Sequence, residues 1–278
     1  MDRMGRFLPV MVLVGAALLV FGWNGASVAA SGSPVRAWGG THIRSLDAPA
    51  ASGSADASAP ALPRFQDRTL SNERTTTRWA NAAYRGNIFS LPDTHSRHVG
   101  RLRWDTEDGF PEVYLLLRSH LDVQGREWVK LRVPGRPNGL IGWVRRQALG
   151  SFHVTHKRIV IDRRRLRMTV YANGHRRWSA PVGIGKRSTP TPAGNFWIRE
   201  RFKVTDRRSP YAPYALGTSA YSSLSEWPGG GVVGIHGDWN QPRLIPGRPS
   251  HGCIRLHRPD ATWLAHHAGP GTPLLIKR

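Results

Sequence analysis

Cysteine is all but absent from this chain of 278 residues: there is one, Cys253. No internal disulfide can form, so the lone thiol is either a quiet buried residue or a reactive group. Acidic side chains are also scarce, 18 against 40 Lys and Arg, which leaves a formal charge of +22. Only five of the basic residues are Lys. Such an excess suits a polyanionic partner such as an anionic cell wall, or reflects a general preference for Arg. The basic residues are spread along the chain rather than massed in one block, and direct nucleic-acid binding is not expected. Sustained helical periodicity is missing too, while Gly and Pro number 30 and 21. That balance favours short strands joined by turns. No internal repeat is present.

The longest apolar run is N-terminal and short. Arg3 and Arg6 precede about 17 mostly apolar residues, from Phe7 to Trp23, and then come the small residues Ala26, Ser27, Val28, Ala29 and Ala30. Residues 1–30 therefore read as an export signal cleaved after Ala29 or Ala30, or as an uncleaved anchor giving transient membrane attachment. Either way the body of the protein is expected outside the cytoplasm, in the cell envelope, in the periplasm or at the extracellular face. Residues 31–75 are rich in Ser, Ala, Gly, Pro and Asp. They bury too little apolar surface to order themselves and are read as a disordered linker.

Residues 76–150 change character. Val129, Leu131 and Val133 alternate with Trp128, Lys130 and Arg132, the period of a half-buried strand. The turn-forming stretch from Pro134 to Gly139 follows, then a second strand from Leu140 to Val144; Val113 to Leu117 is a further strand candidate. Residues 151–278 form a third region. Ile159 to Ile161 reads as a strand, and Leu166, Met168 and Val170 alternate with polar residues up to Asn173-Gly174, a strong hairpin signal. Trp178, Ala180, Val182 and Ile184 mark the returning strand. The stretches 195–200, 231–235 and 272–276 are further strand candidates. One short helix is predicted from Pro259-Asp260 to about His267, with Gly269 beyond its end. The stretch from Arg201 to Trp227 gives the least guidance.

The chemistry gathers near the C-terminus. Gly234-Ile235-His236-Gly237 is followed, across a loop containing Pro242, Pro246, Gly247 and Pro249, by Ser250-His251-Gly252-Cys253-Ile254-Arg255. A strand ending in His236 and a loop returning to Cys253 can set imidazole beside thiol. The imidazole could then take the thiol proton and stabilise the anion for attack on an amide carbonyl. Gly252 permits close backbone approach, so that the N–H groups of Gly252 and Cys253 could face the oxyanion of a tetrahedral intermediate. His236, His251 and His257 could in principle bind zinc, but their spacing fits no common zinc motif and only Asp238 and Asp260 are nearby. No metal and no cofactor are expected. Tyr214 and Trp227 are aromatic candidates for the cleft wall. Aromatics in β domains belong more often to the core, so neither is assigned.

The run from Gly247 to Arg255, with His236-Gly237 upstream, resembles the signature of the L,D-transpeptidase catalytic domain, also called the YkuD domain. The stretches Gly183–Lys186 and Thr189–Phe196 are similar to that family as well, and the likeness covers about residues 156–278. The hairpin region Trp128 to Val144, ending in Gly142-Trp143-Val144, resembles a bacterial SH3-like domain. The expected fold is thus mainly β: a small SH3-like β-barrel at 76–150, then a β-rich catalytic domain with little helix at 151–278. The resemblance implies that Cys253 is the nucleophile and His236 the general base, its second ring nitrogen held by the Gly237 carbonyl. It places His251, Gly252 and Cys253 on the oxyanion loop, with Ser250 shaping that loop and Arg255 orienting substrate. It further implies peptidoglycan tetrapeptide stems as substrate, a cysteine thioester intermediate, formation of 3→3 cross-links, trapping by carbapenem-type β-lactams, and a monomer in an anionic cell wall. Hydrolysis by the same cysteine, attachment of another wall component, and non-catalytic wall binding are the alternatives. The SH3-like segment is expected to contribute more to wall binding than to the reaction on a soluble fragment.

Overall fold

The computed structural model describes residues 67–278 apart from Trp227 and Trp239. The segment read as an export signal and most of the linker lie outside the described residues. The described chain forms two β-sheets. The first contains β1 (Arg68–Thr69), β2 (Thr77–Ala80), β3 (Asn87–Phe89), β4 (His98–Arg101), β5 (Tyr114–Leu121), β6 (Glu127–Arg132), β7 (Ile141–Arg145) and β8 (His153–Thr155). Its order is β4-β3-β7-β6-β5-β2-β8, with β1 added on β5. This sheet reaches past both ends of the predicted segment. Strand β1 lies in the stretch read as linker, where Arg68 pairs with Ser119 and Thr69 with Arg118. Beyond it the Ser71 hydroxyl bonds the Leu116 carbonyl, and Arg132 grips Glu73 through two N–H···O bonds of 2.8 Å. These are backbone and side-chain partners that composition alone does not reveal. At the other end, β8 pairs with β2 and so belongs to the first sheet.

The hairpin β6–β7 forms where alternation predicted it, but Trp128 is not on an exposed face. It is fully buried against Phe89 and Trp143, and its indole N–H donates to Asp122 Oδ2 at 2.9 Å. A small aromatic cluster thus covers a face that the charged neighbours Lys130 and Arg132 made look solvated.

The second sheet holds β9 (Lys157–Asp162), β10 (Arg167–Ala172), β11 (His175–Pro181), β12 (Gly183–Gly185), β13 (Gly194–Lys203), β14 (Tyr214–Tyr221), β15 (Val232–Gly237), β16 (Gly247–Ser250), β17 (Ile254–Leu256) and β18 (Pro273–Lys277). Its order is β11-β10-β9-β18-β13-β14-β15-β17-β12-β16. The β10–β11 hairpin turns at Asn173 and Gly174, both with positive φ, as a tight turn matched to strand twist requires. The one α-helix among the described residues, α1 (Arg258–His267), lies where its start and stop signals put it, and it buries Ala261, Leu264 and Ala265. Its apolar side joins a core of Ile159, Ile161, Phe196, Ile198, Ile235 and Ile254. Each of these six adds roughly 1.5–3 kcal/mol of apolar burial before entropy is counted. Strand β14, in the stretch that offers least guidance in the sequence, is buried along almost its whole length. Its small and polar residues hide it: Thr218 and Ser219 are buried because they bond the Val233 carbonyl and the Trp197 amide.

The two sheets are locked together. Tyr114, Leu115 and Leu116 are all buried, so β5 reads as a continuous apolar run rather than alternating. Tyr114 and Leu116 face their own core, whereas Leu115 and Val113 pack on Trp197 of β13. The Trp197 indole donates to the Val113 carbonyl at 2.7 Å. Beside it Arg199, 1% exposed, donates to Glu112, 0% exposed, from both Nε (2.7 Å) and Nη2. Arg103, Glu107 and Tyr221 complete the network: Arg103 Nη2 reaches Glu112 at 3.0 Å, and Arg199 Nη2 reaches Glu107 at 2.9 Å. Two positive and two negative side chains thus neutralise one another, which a buried charge requires. Burial alone would raise the Glu107 carboxyl, but Arg199 and the Tyr221 hydroxyl hold it down to about 2.

Glu112→Gln leaves the buried Arg199 guanidinium without its closest counter-charge. Unfolding free energy in urea is expected to fall by about 3–5 kcal/mol. A loss below about 1 kcal/mol would show that solvent reaches the pair and compensates it.

Candidate active site

The parallel pairing of β15 with β17 builds the site. Ile235 lies opposite Ile254, and His236 opposite Arg255. Both isoleucines are fully buried in the core. Side chains alternate along a strand, so His236 and Arg255 project to the other face, and Cys253, immediately before β17, projects with them. His236 and Cys253 are therefore diagonal neighbours. They are offset by two residues on neighbouring parallel strands. Both line one cleft of about 400 Å³, together with Ser250, His251, Asp238 and Arg255.

His236 is 5% exposed, and its Nδ1 lies 2.8 Å from the Gly237 carbonyl and 3.1 Å from the Pro210 carbonyl. Carbonyls only accept, so Nδ1 carries the hydrogen and Nε2 is left as the basic nitrogen. The carbonyl predicted for this role, Gly237, is joined by one the sequence did not indicate. Tyr211 sets its ring edge-on to the imidazole, with centroids 4.9 Å apart. Gly237 is constrained in turn: a Cβ there would lie 2.5 Å from the Ala212 carbonyl oxygen.

Burial sets the protonation of the pair. It lowers the His236 pKa, assisted by the Arg255 charge and opposed by the Gly237 carbonyl. It raises the Cys253 pKa, against an interaction with the Gly234 backbone and the positive charge of Arg255. Both shifts favour the neutral partners. The resting site is thus thiol and imidazole, not a preformed ion pair.

The loop from Ser250 to Cys253 is held differently from the sequence expectation. The Gly252 N–H donates to Ser250 Oγ at 3.1 Å, and Ser250 Oγ donates to the Cys253 carbonyl at 2.6 Å. The Gly252 amide, assigned to an oxyanion from the glycine alone, is already engaged by this hydroxyl. Gly252 is required for another reason: its φ is +133°, and a Cβ would meet that of Ser222 at 2.8 Å. Thr191 Oγ1 donates to the Gly252 carbonyl at 2.7 Å and accepts from the Gly185 N–H at 2.9 Å, tying the loop to β12. His251 is exposed and lies 3.0 Å through Nε2 from Lys186 Nζ. Arg255 Nη1 donates to Asp238 Oδ2 at 2.9 Å and to Gln241 Oε1 at 3.2 Å, while its buried Nε has no partner.

Tyr211 beside His236, Asp238 as the anchor of Arg255, and Lys186 as the partner of His251 were not assigned from the sequence. They come from connecting segments whose course only the fold reveals. Tyr214 packs instead on the core and meets His266 edge-on at 5.3 Å; Trp227 lies outside the described residues. His257 precedes α1 and is not part of the cleft lining. Among the described residues no group of three His, Cys, Asp or Glu side chains is gathered to hold a metal ion.

A second hollow of about 330 Å³ also has Cys253 in its wall. It carries Glu200 from β13 and Asp108 from the first sheet's long loop. Burial, countered in part by the Thr106 hydroxyl and reinforced by Asp108, pushes the Glu200 carboxyl up to about 7. Gly217 makes room for Glu200: a Cβ would lie 2.1 Å from its Oε1.

A sequence profile of the L,D-transpeptidase catalytic domain (YkuD) matches residues 156–276. A Bacillus subtilis protein carrying the name L,D-transpeptidase YkuD is 34% identical over 111 residues, 40% of this chain and 60% of its own. L,D-transpeptidase 1 of Mycobacterium tuberculosis is 33% identical over 117 residues, 39% of this chain and 45% of its own. The chain therefore spans about half the length of these curated relatives. Among solved structures, an Enterococcus faecium L,D-transpeptidase is 28% identical, covering 44% of this chain and 49% of that one, with a TM-score of 0.35. L,D-transpeptidase 3 of Mycobacterium tuberculosis is 15% identical, covering 55% and 92%, with a TM-score of 0.36. By its sequence profile, the region 156–276 of this chain is similar to the L,D-transpeptidase catalytic domain family.

Proposed function

We propose that the protein is an exported cysteine transpeptidase that joins peptidoglycan stems by 3→3 links. The observation that carries this reading is the face shared by Cys253 and the Nδ1-protonated His236. Substrate seated in the cleft excludes the remaining water, and His236 Nε2 takes the thiol proton as sulfur attacks the carbonyl between the L-centre of the third stem residue and the terminal D-Ala. The bond to D-Ala breaks, His236 returns its proton to the leaving amine, and a thioester remains on Cys253. The amine of a second stem attacks the thioester, His236 accepts its proton, and the thiol is restored. No external energy source is consumed, because the thioester conserves the acyl bond.

The remaining groups have supporting parts in this reading. With the Gly252 amide engaged by Ser250, the Cys253 N–H is the loop donor assigned to the oxyanion, and Ser250 holds the loop in shape. Arg255, anchored on Asp238, presents positive charge to a stem carboxylate. The hollow with Asp108 and Glu200 beyond the thiol suits a cationic amine approaching from the opposite side. That is why cross-linking is favoured over hydrolysis, the second reading of the same chemistry.

Incubation of the protein with disaccharide-tetrapeptide, read by mass spectrometry, separates the outcomes. Cross-linked dimer is expected, with neither dimer nor tripeptide from Cys253→Ala. Tripeptide alone would replace transpeptidation by hydrolysis, and turnover by Cys253→Ala would remove the mechanism.

The neutral resting pair predicts slow alkylation. The rate with iodoacetamide should rise with pH to a midpoint above the ordinary thiol value of 9.0, since a raised pKa leaves less thiolate at neutrality. A midpoint well below that value would mean that the ion pair exists before substrate arrives.

Asp108→Asn should shift the product ratio from dimer toward tripeptide by about threefold to tenfold, an effect of roughly 0.7–1.4 kcal/mol on the acceptor step. An unchanged ratio would leave the acidic hollow without a part in choosing the acceptor.

A further inference from the structure

The excess of Arg is not evenly dispersed once the chain is folded. Five arginines, Arg163, Arg164, Arg187, Arg248 and Arg278, converge with Pro190 on one concavity of about 390 Å³. They come from four separate parts of the sequence: the β9–β10 turn, the segment after β12, β16, and the residue after β18. Among the described residues none of the five is ion-paired with a carboxylate. Arg103, Arg132, Arg199 and Arg255, by contrast, each meet at least one.

The cluster is fixed in place rather than loosely gathered. Arg163 donates from Nε to the Lys277 carbonyl at 3.0 Å and from Nη1 to the Thr191 carbonyl at 2.5 Å. Arg248 Nη2 donates to the Arg163 carbonyl at 3.2 Å. Those bonds hold two guanidiniums side by side against their mutual repulsion. Burial lowers the Arg163 pKa, and the like charges of Arg248 and Arg278 lower it further. No Asp or Glu side chain is among the lining residues.

We propose that this concavity binds the phosphate groups of a phosphodiester polymer at the cell surface. Guanidinium forks match the paired oxygens of a phosphate and hold them by charge-assisted bonds. A single carboxylate offers two oxygens, too few to occupy five forks, whereas successive phosphates along a polymer supply enough. The site shares no residue with the candidate catalytic cleft but adjoins its loop. Arg248 lies two residues before Ser250, and Arg187 follows Lys186, whose ammonium contacts His251. A polymer seated here holds the protein on the wall with its catalytic loop at the point of contact. The choice of a surface polymer rests on the proposed wall function; recognition of phosphate does not.

The test is a binding titration of the full chain with fluorescently labelled poly(glycerol phosphate), read by anisotropy at several salt concentrations. Turnover plays no part in the readout, so a failed transpeptidase assay leaves it intact. Saturable binding is expected, competed by inorganic phosphate, and weakened about tenfold or more in the triple variant Arg164→Gln, Arg187→Gln, Arg248→Gln, with a shallower salt dependence. Arg163 is left in place because its bonds to two carbonyls serve the fold. The control triple Arg97→Gln, Arg101→Gln, Arg176→Gln removes the same charge from exposed positions outside the concavity and should bind nearly as the parent does. Equal weakening in both triples, or no saturable binding by the parent, would overturn the site. Binding to phosphatidylglycerol vesicles with the same arginine dependence, but not to the polymer, would assign the phosphate to lipid headgroups and overturn the polymer. Tighter binding to single-stranded DNA than to the polymer would overturn the surface assignment.

Discussion

Parallel strands cannot be joined by a tight turn, and the pairing of β15 with β17 is where this chain meets that constraint. The connection from Asp238 to Cys253 leaves one strand, adds β16 to the edge of the sheet, and returns beside its starting point. His236 at the end of the first strand and Cys253 at the start of the second are thereby brought to one face without any contact between residues close in sequence. The isoleucines opposite them, Ile235 and Ile254, anchor that arrangement in the core. A slip of one residue would turn imidazole and thiol into the interior and the isoleucines into the cleft. The register of two short strands therefore fixes the geometry of the candidate site.

The first sheet takes part in that geometry. Its loops supply Glu112 and Arg103 to the buried ion network, and Asp108 to the hollow beyond the thiol. Arg136 and Asn138 from the β6–β7 loop bond the carbonyls of Ser222 and Tyr221 at 2.8 Å, and Ser222 lines the cleft and touches Gly252. A module added only for attachment would not leave Trp197 and Arg199 buried beneath it. Removing it would expose an indole and strand a charged guanidinium, so loss of this sheet reaches the reacting region as well as any binding to the wall.

Local patterns carried much of the fold. The Asn173-Gly174 turn, the helix ending before Gly269, the apolar run Ile159 to Ile161 and the alternation of Met168 and Val170 are properties of neighbouring residues, and the structure has them where the sequence puts them, with Leu166 left in the turn before β10. The motif likewise brought Cys253, His236, Ser250 and Arg255 to one cleft. What escaped was non-local. Strand β14 is polar in composition because its hydroxyls are paired across the sheet. The burial of Trp128 and the continuous apolar run of β5 depend on surfaces supplied from elsewhere in the chain. The Gly252 amide looked free because nothing in the sequence says where the Ser250 hydroxyl turns.

Keeping the sole cysteine protonated at rest has a chemical consequence of its own. Peroxides and oxidised small thiols react with thiolate far faster than with thiol, and sulfinic and sulfonic acids are dead ends for a nucleophile. With no second cysteine in the chain to resolve a sulfenic acid, an early oxidation would have no internal repair. A sulfur that gains its charge only when a carbonyl is presented to it spends little time in the vulnerable form, and so the burial that slows its idle chemistry also prolongs its working life.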